Sequence, residues 1–263
     1  MHLTVGRCGH HIGYRLGDGI GPQKLGRVIV AALECDEFTL HIGIGAARID
    51  GGYPQVRLVG AQRVGERAQR ELAGRIGRHS RRNVAARSGV DEHDLTDADE
   101  IESTCEIVDE LDVLVHNAGV SIPGHVSESH VDEWRATFAV NVFGPVELTL
   151  TLLPALRQAR GQVVFINSGA GRNAMPGMAS YSASKFALRA FADSLRGDEP
   201  ELRVTTIYPG RTDSEMQREL VEFEGGVYAP EKFLKPETVA AAVAHVVATP
   251  RDGHVHELVL RPA

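Results

Sequence analysis

The stretch Ser168-Gly-Ala-Gly-Arg-Asn-Ala-Met-Pro-Gly-Met-Ala-Ser-Tyr181-Ser-Ala-Ser-Lys185 decides the reading of this chain. Tyr181 and Lys185 are four residues apart, so on a helix they share one face. A phenol beside an ammonium is an acid–base device. An unperturbed tyrosine has a pKa of about 10, too high for a base near neutrality. An adjacent positive charge favours the phenolate and pulls that value down. Bringing it to about 7 takes about 4 kcal/mol of differential interaction, within reach of one close ammonium plus the charge of a bound group. Ser168 stands thirteen residues before Tyr181, after the apolar run Val163-Val-Phe-Ile166. A serine at a strand end and a tyrosine in the next helix can converge on one substrate oxygen. Tyr-x-x-x-Lys alone is a weak signal. Its company of strand, serine, Gly-rich loop, Pro176-Gly177 and amphipathic helix makes it a strong one.

Working outward, 263 residues fit one α/β domain, and 43% hydrophobic residues supply a sizeable core. A net charge of -7 and a pI near 5.9 give no reason to expect a nucleic acid or an acidic membrane as partner. Cys8, Cys35 and Cys105 are odd in number and irregularly spaced, which reads as reduced thiols in a cytoplasmic protein. No run of eighteen apolar residues occurs, so no membrane span is expected. Residues 1–20 carry glycines, histidines and charges instead of an apolar signal core.

From about Asp94 the pattern is regular. Asp94-Leu-Thr-Asp97 reads as a strand end and a helix N-cap, and 98–110 as an acidic helix. Leu111-Asp-Val-Leu-Val-His116 is a short buried strand ending in Asn117-Ala118-Gly119. Ser129-x-x-Asp132 is a loose capping box for a helix starting near Val131. Asn141 falls within that helix, before Phe143-Gly-Pro145 and a long apolar helix with Leu148, Leu152 and Leu156. Gly161 opens the strand to Ile166. Beyond the Tyr181 helix, Leu202 to Ile207 is another buried strand, ending in Tyr208-Pro209-Gly210-Arg211-Thr212. The polar segment 213–230, with Gly225-Gly226 and Pro230, reads as a mobile flap. Val239 to Val247 is a helix after Pro236-Glu237, and Glu257 to Leu260 a last strand. Alternating buried strands and helices predict a Rossmann-like, doubly wound parallel sheet: one three-layer α/β/α domain.

Residues 1–92 are rich in Gly and Arg, and their periodicity is broken. The strand candidates there are Val28 to Leu33, Phe38 to Ile42 and Val56 to Val59. Residues 1–36 are expected to be an atypical leader, disordered or loosely packed, and 37–263 the Rossmann-like domain. Cys8, His10 and His11 have no second ligand pair at zinc spacing, so no metal site is expected. The basic run Arg63 to Arg87 reads as a solvated helix face.

From Asp94 to the C-terminus the chain resembles the short-chain dehydrogenase/reductase family, in its short, non-extended branch. The shared features are Asn117-Ala118-Gly119, Asn141, Ser168, Tyr181-x-x-x-Lys185 and Pro209-Gly210-x-Thr212. The resemblance implies NAD(P) as cofactor, with NADP favoured, and a small carbonyl or alcohol as substrate. It implies that Tyr181 is the general acid in carbonyl reduction and the base in alcohol oxidation. Lys185 would lower its pKa and hold the nicotinamide ribose, and Ser168 would hold the substrate oxygen. Asn141 would anchor a water linking Lys185 to solvent. Asn117, Ala118 and Gly119 would let the backbone approach the cofactor. Thr212, after Pro209-Gly210, would contact the carboxamide or phosphates, and Asp94 would lie near the adenine. The family's Thr-Gly-x-x-x-Gly-x-Gly turn falls at Phe38 to Gly45; its last two glycines match Gly43 and Gly45, and its first does not. Arg63 is a minority candidate for a cofactor 2′-phosphate. Helices over 145–158 and 181–196 would support a homodimer or homotetramer. Met216, Leu220, Val221, Phe223 and Tyr228 suggest a modestly hydrophobic substrate. A competing reading is a catalytically silent binding or regulatory protein with a degenerate nucleotide site. A serine hydrolase is discounted, because Ile166 and Ala170 flank Ser168 where a nucleophile elbow has glycines.

Overall fold

A computed structural model describes residues 108–263 continuously and five strand segments before them. Among the latter, β1 (Thr4–Val5) and β2 (Tyr14–Arg15) form a separate antiparallel pair. The others are β3 (Leu25–Glu34), β4 (Thr39–Arg48) and β5 (Gln55–Val59). Four more strands follow: β6 (Val113–His116), β7 (Gln162–Ile166), β8 (Arg203–Tyr208) and β9 (Glu257–Val259). The seven-stranded sheet has the order β5-β4-β3-β6-β7-β8-β9. From β3 through β9 every neighbouring pair is parallel. The pairs β3–β4 and β4–β5 are antiparallel.

Five helices are described: α1 (Val131–Phe138), α2 (Gly144–Ala159), α3 (Ala179–Asp198), α4 (Glu215–Phe223) and α5 (Pro236–Ala248). Side chains alternate across a strand, and the buried strands use both faces. Leu114, Phe165 and Val204 pack with Leu148, Leu152 and Leu156 of α2 and Leu188 and Ala192 of α3. Val113, Val115, Val164 and Ile207 pack on the other side with Ala242, Val246 and Val247 of α5. This two-sided burial is what gives short, uniformly apolar parallel strands.

A π-helical turn, Ala139–Phe143, joins α1 to α2. The resulting helix, Val131–Ala159, is by length and composition apolar enough to cross a membrane, which the sequence reading did not expect. In this fold its Leu148, Leu152 and Leu156 lie against the sheet.

Several expectations are corrected. The proposed leader, 1–36, contains β3, which pairs directly with β6 through Val28 to Ala31. The sheet therefore begins before residue 37. The three N-terminal strand candidates fall on β3, β4 and β5, but β4 and β5 continue the sheet as an antiparallel ribbon beside its parallel half. The segment 213–230 contains α4, started by Ser214, whose hydroxyl accepts from Gln217 N at 3.2 Å. Leu220 and Val221 bury its inner face. Asp94, Arg63 to Arg87, and Cys8, His10 and His11 lie outside the described residues. So does the helix expected over 98–110, apart from 108–110, which are not helical.

Candidate active site

The three parallel strands β6, β7 and β8 end side by side, and each releases one segment of the site. In an open α/β sheet this carboxyl edge is where ligands bind. Asn117-Ala118-Gly119 leaves β6, Asn167-Ser168 leaves β7, and Pro209-Gly210 leaves β8. A cleft of about 570 Å³ opens there, lined by Asn117, Gly119, Ser168, Tyr181, Lys185, Pro209, Gly210 and Thr212 among others. That volume suits a small organic ligand. The structure thus brings eight of the expected residues together. Ala118 and Asn141 are buried and lie outside the cleft lining.

Tyr181 and Lys185 share one face of α3. The ammonium nitrogen stands 5.6 Å from the phenol ring centre. Both side chains are buried, at 8% and 3% exposure. Burial pushes the Tyr181 phenol above its ordinary pKa, and a hydrogen bond with the Ser168 side chain pulls it part of the way back. Burial lowers the Lys185 ammonium from 10.5 to about 8. The expectation that the lysine sets a low tyrosine pKa is not met in the protein alone: desolvation of the phenol is the larger influence.

Among the described residues, Lys185 Nζ donates only to Ile166 O, at a long 3.4 Å. A methyl group at Gly119 would stand 3.1 Å from that Nζ and 3.4 Å from Asn141 Oδ1. Glycine there keeps the ammonium unobstructed. Asn141 occupies the π-helical turn and is fully buried. Its Oδ1 accepts from Val120 N at 2.8 Å. Its Nδ2 donates to Val120 O at 2.8 Å and to Ser184 Oγ at 2.9 Å. The side chain is therefore a clamp between the β6 segment and α3, with both amide hydrogens engaged.

Asn167 was not anticipated from the sequence. Its Oδ1 accepts from Ser168 N at 2.8 Å, and its Nδ2 donates to Lys185 O at 3.0 Å. It fixes the serine and the lysine to each other. Gly171 allows this, because a methyl group there would meet Asn167 Oδ1 at 2.3 Å and Lys185 O at 2.9 Å. The available signal was a polar residue between an apolar strand and the serine, in a place where a buried polar group needs partners. Ser168 itself starts a tight turn, its Oγ accepting from Ala170 N at 3.2 Å.

The nicotinamide-ribose half of a dinucleotide fits these residues. The cleft is open, Gly119 leaves room at its floor, and among the described residues Lys185 Nζ has hydrogens left for ribose hydroxyls. Gly43 and Gly45 do not fit as a phosphate turn. They lie inside β4, paired with Val30 and Val28 of β3. A dinucleotide turn must follow a strand and open a helix, whereas here β3 is followed by an antiparallel strand. Between β3 and β4 stand Cys35, Asp36, Glu37 and Phe38, with no glycine.

The pattern described as short chain dehydrogenase matches residues 53–225, more than half of the chain. A Mus musculus protein named dehydrogenase/reductase SDR family member 7B is 39% identical over 141 residues, 52% of this chain and 44% of that protein. The chain thus spans less than half the length of this curated relative. The Thermococcus sibiricus alcohol dehydrogenase solved with 5-hydroxy-NADP is 27% identical, with a TM-score of 0.58 over 66% of this chain and 76% of that one. A Burkholderia cenocepacia short chain dehydrogenase solved with NADP is also 27% identical, with a TM-score of 0.54 over 64% of this chain and 69% of that one. Sequence, fold and site agree, and the chain belongs to the short-chain dehydrogenase/reductase family of oxidoreductases.

Proposed function

We propose that this chain is an NAD(P)-dependent oxidoreductase that interconverts a secondary alcohol and a ketone, or acts likewise on an aldehyde, with Tyr181 as acid and base. The observation that carries the reading is the meeting of Ser168, the Tyr181 phenol and the buried Lys185 ammonium at one cleft. NADP is favoured over NAD because two relatives of similar fold hold NADP or a derivative of it.

Lys185, Tyr181, Asn117, Gly119 and Thr212 would hold the nicotinamide half, which when bound supplies or accepts the hydride. In reduction, Ser168 Oγ donates a hydrogen bond to the carbonyl oxygen and stabilises the charge gathering on it. Tyr181 gives its proton to that oxygen. The C=O π bond breaks as the new C–H and O–H bonds form, and the phenolate left behind is stabilised by the Lys185 ammonium. Oxidation reverses each step, with the phenolate taking the hydroxyl proton. A phenol held protonated by burial is the form that reduction requires.

The silent-protein alternative is favoured by one observation, the glycine-free link between β3 and β4. Titrating NADH and NADPH while following melting temperature separates the two readings. Micromolar binding of at least one supports the enzyme. Failure of both to bind at millimolar concentration contradicts it.

A further inference from the structure

Although the chain carries a net charge of -7, the charged side chains lining its cleft among the described residues are Lys185, Arg211, Lys232 and Arg261 against Asp213 alone. Arg211 is engaged by Glu224 at 2.6 Å, and Asp213 accepts from the Tyr228 hydroxyl. Lys185 belongs to the reacting centre. Arg261 differs from the rest, because its guanidinium is fixed by backbone while part of its donor set stays free. Nη1 donates to Tyr208 O at 3.0 Å and to Leu260 O at 2.7 Å. Nη2 and Nε have no partner among the described residues. Those two donors are one edge of the guanidinium fork, the geometry that matches a carboxylate bidentately.

Two glycines lie against it. A methyl group at Gly169 would stand 3.5 Å from Arg261 Nη2, and one at Gly210 would stand 3.3 Å from Arg261 Cδ. Gly169 directly follows Ser168, so the open edge of the guanidinium lies beside the loop that holds the substrate oxygen. Met178, Met216 and Leu220 pack with Tyr181 and offer an apolar wall to the same cleft.

We propose that Arg261 anchors a carboxylate on the substrate, so that the preferred substrates are oxo acids and the corresponding hydroxy acids. The acid group meets Arg261, the carbonyl oxygen meets Ser168 and Tyr181, and the rest of the chain lies on the methionine wall. This rests on the oxidoreductase reading above and names its substrate class. An ion pair in open water is weak. One formed by a guanidinium already held in place loses less entropy, and a hydrogen bond to a charged group is worth enough for about a tenfold preference or more.

The test uses the full chain with NADPH and two probes, levulinate and a longer-chain oxo acid, each against its own uncharged amide. Wild type is expected to favour each acid over its amide at least about tenfold in kcat/KM. Arg261→Met should erase the preference by raising KM for the acid, with kcat and the NADPH Kd unchanged. Arg261→Lys should restore part of it. Equal use of acid and amide by the wild type overturns the proposal. So does an equal loss on acid and amide in Arg261→Met, or a weakened NADPH Kd with the preference intact, which would assign Arg261 to a cofactor phosphate. Should neither probe turn over, calorimetry of the same acids with the NADPH-loaded chain decides: binding weakened about tenfold by Arg261→Met supports the anchor, and no binding contradicts it. The oxidoreductase reading fails separately, when neither NADH nor NADPH binds at millimolar concentration; loss of the acid preference alone leaves that reading standing.

Discussion

At Lys185 an ammonium is buried with one long hydrogen bond, and this is unfavourable in itself. Its pKa falls from 10.5 to about 8 on folding. Between those values the unfolded chain binds a proton that the folded chain does not, so stability rises with pH across that window. Below about 8 the full cost of the buried charge is present, about 3 kcal/mol. Lys185→Met should therefore raise the melting temperature at pH 7 while abolishing turnover, and it should remove the gain in stability between pH 8 and 10.5. Chemical denaturation of both forms at a series of pH values checks this. An unchanged or lower stability at neutral pH would argue against the burial. The meeting of Tyr181, Lys185 and Ser168 at one cleft was legible in the sequence because it follows from residue type and spacing. The direction of the tyrosine shift was not legible. It depends on how much water the fold removes from the phenol, which no spacing encodes.

Among the elements, β6 and α2 are joined by a buried pair. His116, the last residue of β6, stacks on Phe165 at 4.8 Å, and its Nε2 is hydrogen-bonded with Thr149 Oγ1 at 2.8 Å. Burial lowers its pKa from 6.5 to about 3. The folded imidazole thus stays neutral while the unfolded one gains a proton below pH 6.5. Stability must fall as pH drops through that window, by about 2 kcal/mol at pH 5. His116→Leu should flatten the fall between pH 6.5 and 5, even though the orphaned Thr149 hydroxyl costs some stability at every pH. Urea midpoints at the two pH values measure the slope, and an unchanged slope would contradict the assignment. Apart from α4, helix and strand positions from Val113 onward were legible because each of those elements is apolar with a clear period or a short buried run. The π-helical turn at Asn141 was not, since it is a shift of backbone hydrogen bonds that leaves composition unaltered. Helix α4 was missed although Ser214, Met216 and Leu220 stood at cap and i, i+4 positions. The surrounding charges obscured that narrow stripe.

Across the whole molecule, two halves of one sheet differ in kind. From β3 through β9 the pairing is parallel, and this half carries every described residue of the cleft. Strands β4 and β5 add an antiparallel ribbon where the sequence reading placed a phosphate turn. The apolar runs in this region announced strands. Their direction was not readable, because pairing sense is decided by connections and not by the side chains of a single strand. The central claim concerns the other half: one phenol, buried beside an ammonium and joined to a serine, moves the proton. Its most direct test is the turnover of Tyr181→Phe measured alongside its NADPH affinity. The account predicts that NADPH binding is largely retained, because the ring, its packing and the other residues of the nicotinamide pocket remain, with turnover reduced by about 10²- to 10⁴-fold. Turnover equal to wild type at the same Kd would contradict it.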